Sequence, residues 1–322
     1  MSSEQELPDY YHPGATLSLS LNQNDDLLNV QVIRAFTPFT MSQVILVERS
    51  GNIEKDNNSI SHSCRLLPKT FLAKIYDPRF ISHRLAQPWR PARPWSVEAE
   101  NKAAAARRQP RDPDFKPWNR PESGDLPGCE EFYFQISEGQ YHSEVTSYEY
   151  LQVLQGSAIP RCYGTGSLRL SDRAISPHVL FLEFLPDAES LALVNPKVVS
   201  LSLLQSLLDA ADKFGALGVV HTDLNPGNII FSPGYKPTRA AIIDFGEAGV
   251  REEEDDESEW AEIVKHNRDS VWLCKVLQRT LGIDLSISRP SVVHTVNIPA
   301  TVGKGAAEVN LKLRKELIDI PD

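Results

Sequence analysis

The sequence is poor in cysteine. Its 322 residues hold four, Cys64, Cys129, Cys162 and Cys274, and no two of them form a C-x-x-C pair. That spacing excludes a zinc ribbon and a disulfide framework, and predicts free thiols in a reducing compartment. No apolar run approaches the length of a membrane span. The first residues, Met1 to Asp9, are acidic and lack the apolar core of a secretory signal. Positive charge is also short: 33 Lys and Arg stand against 43 Asp and Glu, a net charge of −10. A general nucleic-acid binder needs the opposite balance. The expectation is a soluble cytoplasmic protein without membrane or nucleic-acid partners, a nucleus-bound protein being the weaker alternative that a few arginines would support. Its oligomeric state is not legible.

What is present centres on Val219 to Phe231, Val-Val-His-Thr-Asp-Leu-Asn-Pro-Gly-Asn-Ile-Ile-Phe. His221, Asp223 and Asn228 stand in the spacing H-x-D-x-x-x-x-N, between an apolar pair and an apolar triplet. A turn-rich gap follows, then a second apolar run from Ala240 to Ile243 that ends in Asp244-Phe245-Gly246. The pattern reads as strand, polar loop, strand, hairpin and strand, with an aspartate on the tip. Such a layout suits metal and phosphate. One carboxylate, Asp223, can orient an attacking hydroxyl, while the Asn228 amide and the Asp244 carboxylate are hard oxygen ligands for Mg²⁺.

Together these two motifs resemble the protein-kinase-like superfamily, with His221-Thr222-Asp223 as catalytic loop and Asp244-Phe245-Gly246 as metal-binding triplet. No Ala-Pro-Glu triplet follows them, and in this the chain looks closer to the aminoglycoside-phosphotransferase-like branch. The resemblance implies an α+β, two-lobed fold, with an antiparallel sheet in the N-lobe and a mainly helical C-lobe. It divides the chain into a loose tail over 1–24, an N-lobe over 25–185 and a C-lobe over 186–322.

Strand patterns agree with the first lobe. Leu28 to Val32 alternates, Val44 to Glu48 is a short apolar run, and Thr70 to Tyr76 follows Pro68. Lys74 interrupts the third of these, either as an edge-facing lysine or, by the resemblance, as the lysine that holds the nucleotide phosphates. A kinase would carry glycines between the first two strands. Ala35 to Ser42 has none, which removes the close backbone approach to phosphate that glycine permits. From about 84 to 130, eight prolines between Pro88 and Pro127, with Trp89, Trp95, Trp118 and several arginines, read as a mobile insertion. It leaves room for a short helix over Val97 to Arg108.

A helix from about Ser137 ends before Gly156 and carries Glu144, the first choice to brace Lys74, with Glu149 and Glu138 as rivals. Strands are expected over Ile159 to Gly164 and His178 to Leu185. By the resemblance, the backbone of Glu183 and Leu185 meets adenine. A helical period from Lys197 to Leu217 places Leu201, Leu204 and Leu208 on one stripe ahead of the loop.

The expected activity is ATP- and Mg²⁺-dependent phosphoryl transfer to a hydroxyl acceptor, protein or small molecule. Asp223, Lys74 and Asn228 are the catalytic set, Lys74, Glu144, Glu183 and Leu185 the nucleotide contacts, and Asn228 and Asp244 the metal ligands. His221 is expected to support the loop. Asn225 stands where protein kinases commonly place a lysine. That change and the missing glycines favour the alternative, a nucleotide-binding pseudokinase that serves as a scaffold.

Many protein kinases carry an arginine between the loop histidine and aspartate, where it pairs with a phosphate on the activation segment. Here that residue is Thr222, and Glu252 to Glu257 crowd the following segment with carboxylates. An added phosphate would meet like charge. Ser258, the sole hydroxyl residue between Gly246 and Trp260, can therefore become alanine without loss of turnover. A large drop in Ser258→Ala, or in phosphatase-treated protein, would reveal a switch.

Overall fold

The structure, a computed structural model, describes residues 8–21, 26–50, 67–88, 91–109, 121–122 and 124–285. It contains two compact units, Met1–Tyr141 with Cys162–Phe184, and His142–Arg161 with Leu185–Asp322. Both mix helix and strand, in line with an α+β chain. Among the described residues, no helix is long and apolar enough to cross a membrane, and no disulfide joins Cys129, Cys162 and Cys274.

Among its described residues the first unit holds six strands: β1 (Thr16–Leu21), β2 (Asp26–Phe36), β3 (Gln43–Arg49), β4 (Thr70–Tyr76), β5 (Cys162–Leu168) and β6 (His178–Leu182). They pair antiparallel in the order β1-β2-β3-β4-β6-β5, and β5 also meets β1. Side chains alternate across each strand. Leu17, Leu19, Val30, Val32, Ile45, Val47, Phe71, Ala73, Ile75 and Phe181 accordingly collect on one face as a core.

β1 lies in what the sequence reading assigns to a loose tail. Leu17-Ser18-Leu19-Ser20-Leu21 is a clean alternating strand, and it pairs along its whole length with β2. The last two strands also shift: β5 begins at Cys162 rather than Ile159, and β6 ends at Leu182.

Lys74 is not an edge lysine. β4 is flanked by β3 and β6, and Lys74 is only 5% exposed. It shares its face with Tyr76, whose ring lies 5.8 Å from the ammonium. Tyr76 in turn meets the helix that carries Ser137 and Tyr141, through the Tyr141 ring and through a 2.8 Å bond from the Ser137 hydroxyl to its carbonyl.

Within the segment read as a mobile insertion, the described residues include a helix, the start of a second and buried ion pairs. Helix α1 (Val97–Arg107) is capped by Ser96, whose hydroxyl accepts from the Ala99 N–H at 3.2 Å. Helix α2 (Leu126–Tyr150) starts well ahead of Ser137. The reason is charge burial. Arg173, on the β5–β6 connection, has no exposed side-chain area and bonds both Glu100 of α1, at 2.6 Å, and Asp77 after β4, at 3.2 Å. Arg79 also grips Asp77, at 2.7 Å, and the Trp95 indole donates to Glu100 at 2.7 Å. A second buried pair, Arg84–Glu130 at 2.5 Å, ties the chain after β4 to α2. Trp89, Trp118 and Arg111 lie outside the described residues.

The second unit takes the C-terminal part of α2, then β7 (Glu189–Ser190), α3 (Leu201–Phe214), β8 (Val219–Val220), β9 (Ile229–Ser232), β10 (Arg239–Ile242), β11 (Gly249–Val250), α4 (Glu257–Asn267) and α5 (Asp269–Leu281). α3 buries Leu204, Leu207, Leu208, Ala211 and Phe214 and packs against α5. Leu201, expected on that stripe, is instead exposed in the first helical turn. Gly218 then turns the chain into β8 at φ 85°, where an added Cβ would sit 2.9 Å from the Tyr150 ring. β10-β9-β7 form one small sheet, and β8 with β11 another.

Burial alone would raise the carboxyl groups of Asp77 and Glu100, but their arginine partners outweigh it and hold both below the ordinary range. Their contribution is thus present above the normal carboxylate pKa and lost only as pH falls through the depressed values. Glu100→Ala leaves Arg173 with half of its countercharge. It should cost about 3–5 kcal/mol in urea unfolding at pH 7, with cleavage moving to α1 in limited proteolysis.

Candidate active site

The loop between β8 and β9 is built from the backbone outward. His221 is fully buried. Its Nε2 lies 3.0 Å from the Ile243 carbonyl, which can only accept, so Nε2 carries the proton. Nδ1 then accepts from the Asp223 N–H at 3.4 Å. Burial, the largest effect, lowers the pKa of His221 and keeps the ring neutral. The Phe245 ring packs against it at 4.7 Å and touches Tyr148 and Phe214 on its other sides. His221 and Phe245 are therefore a buried support for the residues between and beside them, as expected of the histidine.

Asp223 is held by two amides. Asn228 Nδ2 donates to its Oδ2 at 3.0 Å and to its carbonyl at 2.9 Å. Asn225 Nδ2 reaches Oδ1 at 3.2 Å, while Asn225 Oδ1 accepts from the Gly227 N–H at 2.8 Å and caps the turn Pro226–Asn228. Because the Asn228 nitrogen faces Asp223, its Oδ1 is the end turned away from that carboxylate.

Asp244 comes next to Asn228 through strand register. Ile242 pairs with Ile229 in the β9–β10 hairpin. One residue on, the Ile243 N–H donates to the Asn228 carbonyl at 2.9 Å. Asp244 follows at φ 68°, and Thr222, beside Asp223, stands at φ 60°. Aspartate tolerates the left-handed region, but a β-branched threonine is strained there. Thr222 is kept in place by its hydroxyl, which donates to the Glu247 carbonyl at 2.7 Å. Among the described residues no three His, Cys, Asp or Glu side chains form a metal cluster. One carboxylate and one amide oxygen are a donor set that suits Mg²⁺ completed by phosphate and water, rather than a closed protein cage.

Helix α5 clamps this loop from both sides of Asp223. The Asp269 carboxylate accepts from the His221 N–H at 3.0 Å, with the Thr222 N–H beside it. One turn on, the Trp272 indole donates to the Leu224 carbonyl at 2.9 Å. Sequence reasoning missed both. Asp269 opens a helix after Arg268, where an acidic residue reads as an ordinary first-turn preference, and its target is backbone, which leaves no side-chain signal.

Asp223, Asn228 and Asp244 thus all lie within the second unit, the first two in side-chain contact and Asp244 one residue past the backbone partner of Asn228. Glu144, fully buried on α2, and Leu185 belong to that unit as well, while Lys74 and Glu183 belong to the first. Glu138, a rival for the bracing role, instead meets His178 at 3.2 Å in the first unit. Burial raises the other rival, Glu149.

Residues 149–251 match the model of the phosphotransferase enzyme family. The matched stretch contains His221, Asp223, Asn228 and Asp244, and leaves Lys74 and Glu144 outside. This agrees with the resemblance carried by the loop and the Asp-Phe-Gly triplet. No curated protein matches the sequence. Among solved structures, the Rio2 kinase–ADP/Mg²⁺–phosphoaspartate complex from Chaetomium thermophilum is similar at 13% identity and a TM-score of 0.39, over 86% of this chain. The chain spans 60% of that protein's length.

Burial raises the Asp269 carboxyl from 3.8 to about 6, although the loop amides pull it down. The folded protein keeps this proton to higher pH than the unfolded chain does. Stability therefore falls as pH rises from about 4 to about 6, by about 3 kcal/mol at roughly 1.4 per pKa unit. Asp269→Asn preserves the acceptor and should lack this step in urea unfolding across pH 4 to 7. Asp269→Ala, which orphans the loop amides, should lose about 1–3 kcal/mol at pH 4 and, lacking the titrating group, should draw level with the wild type as pH rises towards 7.

Proposed function

We propose that the protein is a two-lobed, kinase-like phosphotransferase that moves the γ-phosphoryl group of Mg-ATP to a hydroxyl acceptor. The observation that carries this reading is the constellation at the β8–β10 loops, with Asp223 fixed by two amides and Asp244 set beside Asn228 by strand register. In this reading Asp223 accepts the hydroxyl proton and aims the oxygen. Its carboxylate is well suited to that, because the Asn225 and Asn228 amides restrain its rotation. Asn228 Oδ1 and Asp244 hold Mg²⁺, which would neutralise charge on the phosphates. Lys74 contacts the phosphates and Glu144 braces it. Each is nearly removed from water, and a buried charge calls for a partner. The backbone of Glu183 and Leu185 receives the adenine.

A second reading, a nucleotide-binding scaffold with little turnover, is favoured by one observation. The turn between β2 and β3, glycine-free, is anchored by Phe39, which is 2% exposed and packs edge-on against Tyr11 and Phe80. Backbone pinned by a buried ring is less able to wrap phosphate closely.

ATP turnover by the purified protein decides between them. The phosphotransferase reading expects Asp223→Ala to lose at least about 100-fold while still binding nucleotide. It also expects Mg²⁺ to enlarge the ATP-induced rise in melting temperature for the wild type and not for Asp244→Ala. Equal thermal shifts in all cases would remove the metal assignment. Absent turnover with an intact, Mg²⁺-dependent shift would establish the scaffold.

A further inference from the structure

Helix α5 buries Leu273, Leu277 and Leu281 on one side. The opposite side carries Trp272, Lys275 and Arg279, spaced by three and four residues and so on one helical stripe, and Arg268 at the cap before the helix extends it at the N-terminal end. All four are exposed. Trp272 leaves 47% of its surface in solvent although its indole nitrogen is committed to Leu224, and Lys275 lies 5.9 Å from its ring centroid. An exposed indole flanked by cations, in a chain of net charge −10, is chemistry that solubility does not require.

We propose that this stripe is the docking surface for an acidic segment of a protein acceptor. The inference rests on the phosphotransferase reading for the word acceptor alone; the surface stands on its own geometry. Three observations select the occupant. The stripe covers eleven residue steps, about 16 Å of helix, which matches an extended segment of about five residues at roughly 3.3 Å each and exceeds a small molecule. Three cations around one aromatic fit a short run of carboxylates anchored by an apolar or aromatic side chain. A nucleic acid fits less well, because Glu252 to Glu257 lie on the approach to α4 in the same unit and would repel an extended polyanion. The surface also starts at the correct place. Trp272 is bonded to Leu224, the neighbour of Asp223, so a segment lying on α5 has one end at the catalytic loop.

The probe is a fluorescein-labelled dodecapeptide of aspartate and glutamate with one serine and one phenylalanine, read by fluorescence anisotropy without nucleotide. The full-length wild type is expected to bind it, more weakly as salt rises. Lys275→Glu with Arg279→Glu should weaken binding about tenfold or more, and Lys275→Ala with Arg279→Ala by an intermediate amount. ATP-induced thermal shifts should stay at the wild-type value in both, which certifies the fold. With the peptide as phosphate acceptor, KM should rise and kcat hold. Peptide binding without any turnover in the wild type would support the surface and overturn the phosphotransferase reading instead. The proposal is overturned if the wild type does not bind the peptide, or if charge reversal leaves its affinity unchanged. Tighter, charge-dependent binding of a labelled oligouridylate would reassign the surface to RNA. A change of sedimentation mass on charge reversal would reassign it to a second copy of this chain.

Discussion

A carboxylate buried against backbone amides governs the centre of this molecule. Asp269 gives up water to accept from His221 and its neighbour, and in doing so fixes a loop that has almost no regular hydrogen bonding of its own. The loop needs this. Thr222 sits in a conformation that its branched side chain disfavours, and strain of that kind persists only where the surroundings over-determine it. Asp269 holds the loop before Asp223 and Trp272 holds it after. Two side chains one helical turn apart thereby set the orientation of a third that neither touches.

The first unit depends on the same device in different form. Asp77, Arg79, Glu100 and Arg173 form a buried charged knot that joins three segments remote in sequence. Each arginine has a carboxylate at hydrogen-bonding distance, and the Trp95 indole completes the Glu100 shell. Buried ion pairs add little over well-packed apolar residues, yet they are intolerant of losing one member. The knot therefore specifies where α1 lies more than it raises overall stability.

The motifs of the candidate site were legible in the sequence because their spacing is local. His221, Asp223 and Asn228 lie on the loop between β8 and β9, and Asp244 just past β10, so their spacing survives without knowledge of the fold. Core strands were legible for a similar reason, since Leu28, Val30 and Val32 alternate in the chain as they do in the sheet. What failed was judged by composition. The Asn and Asp residues after Leu21 disguised an alternating strand at Leu17 to Leu21. A run of prolines disguised Glu100, Arg107 and Glu130, described residues of that segment that ion pairs hold. Leu201 fits the apolar period of α3 but stands in its first turn, where that face has nothing to cover it. Asp269 and Trp272 act on backbone atoms of another segment, and backbone contacts leave no trace in residue type.

Phe39 changes what the turn between β2 and β3 can be. Lifting that turn exposes a ring now buried between Tyr11 and Phe80, at a cost of about 2–3 kcal/mol. A gap of that size keeps the lifted form to roughly a few per cent or less. The turn is thus a fixed wall rather than a hinged flap. Its shape is set before anything meets it, so no chain entropy remains to be lost there.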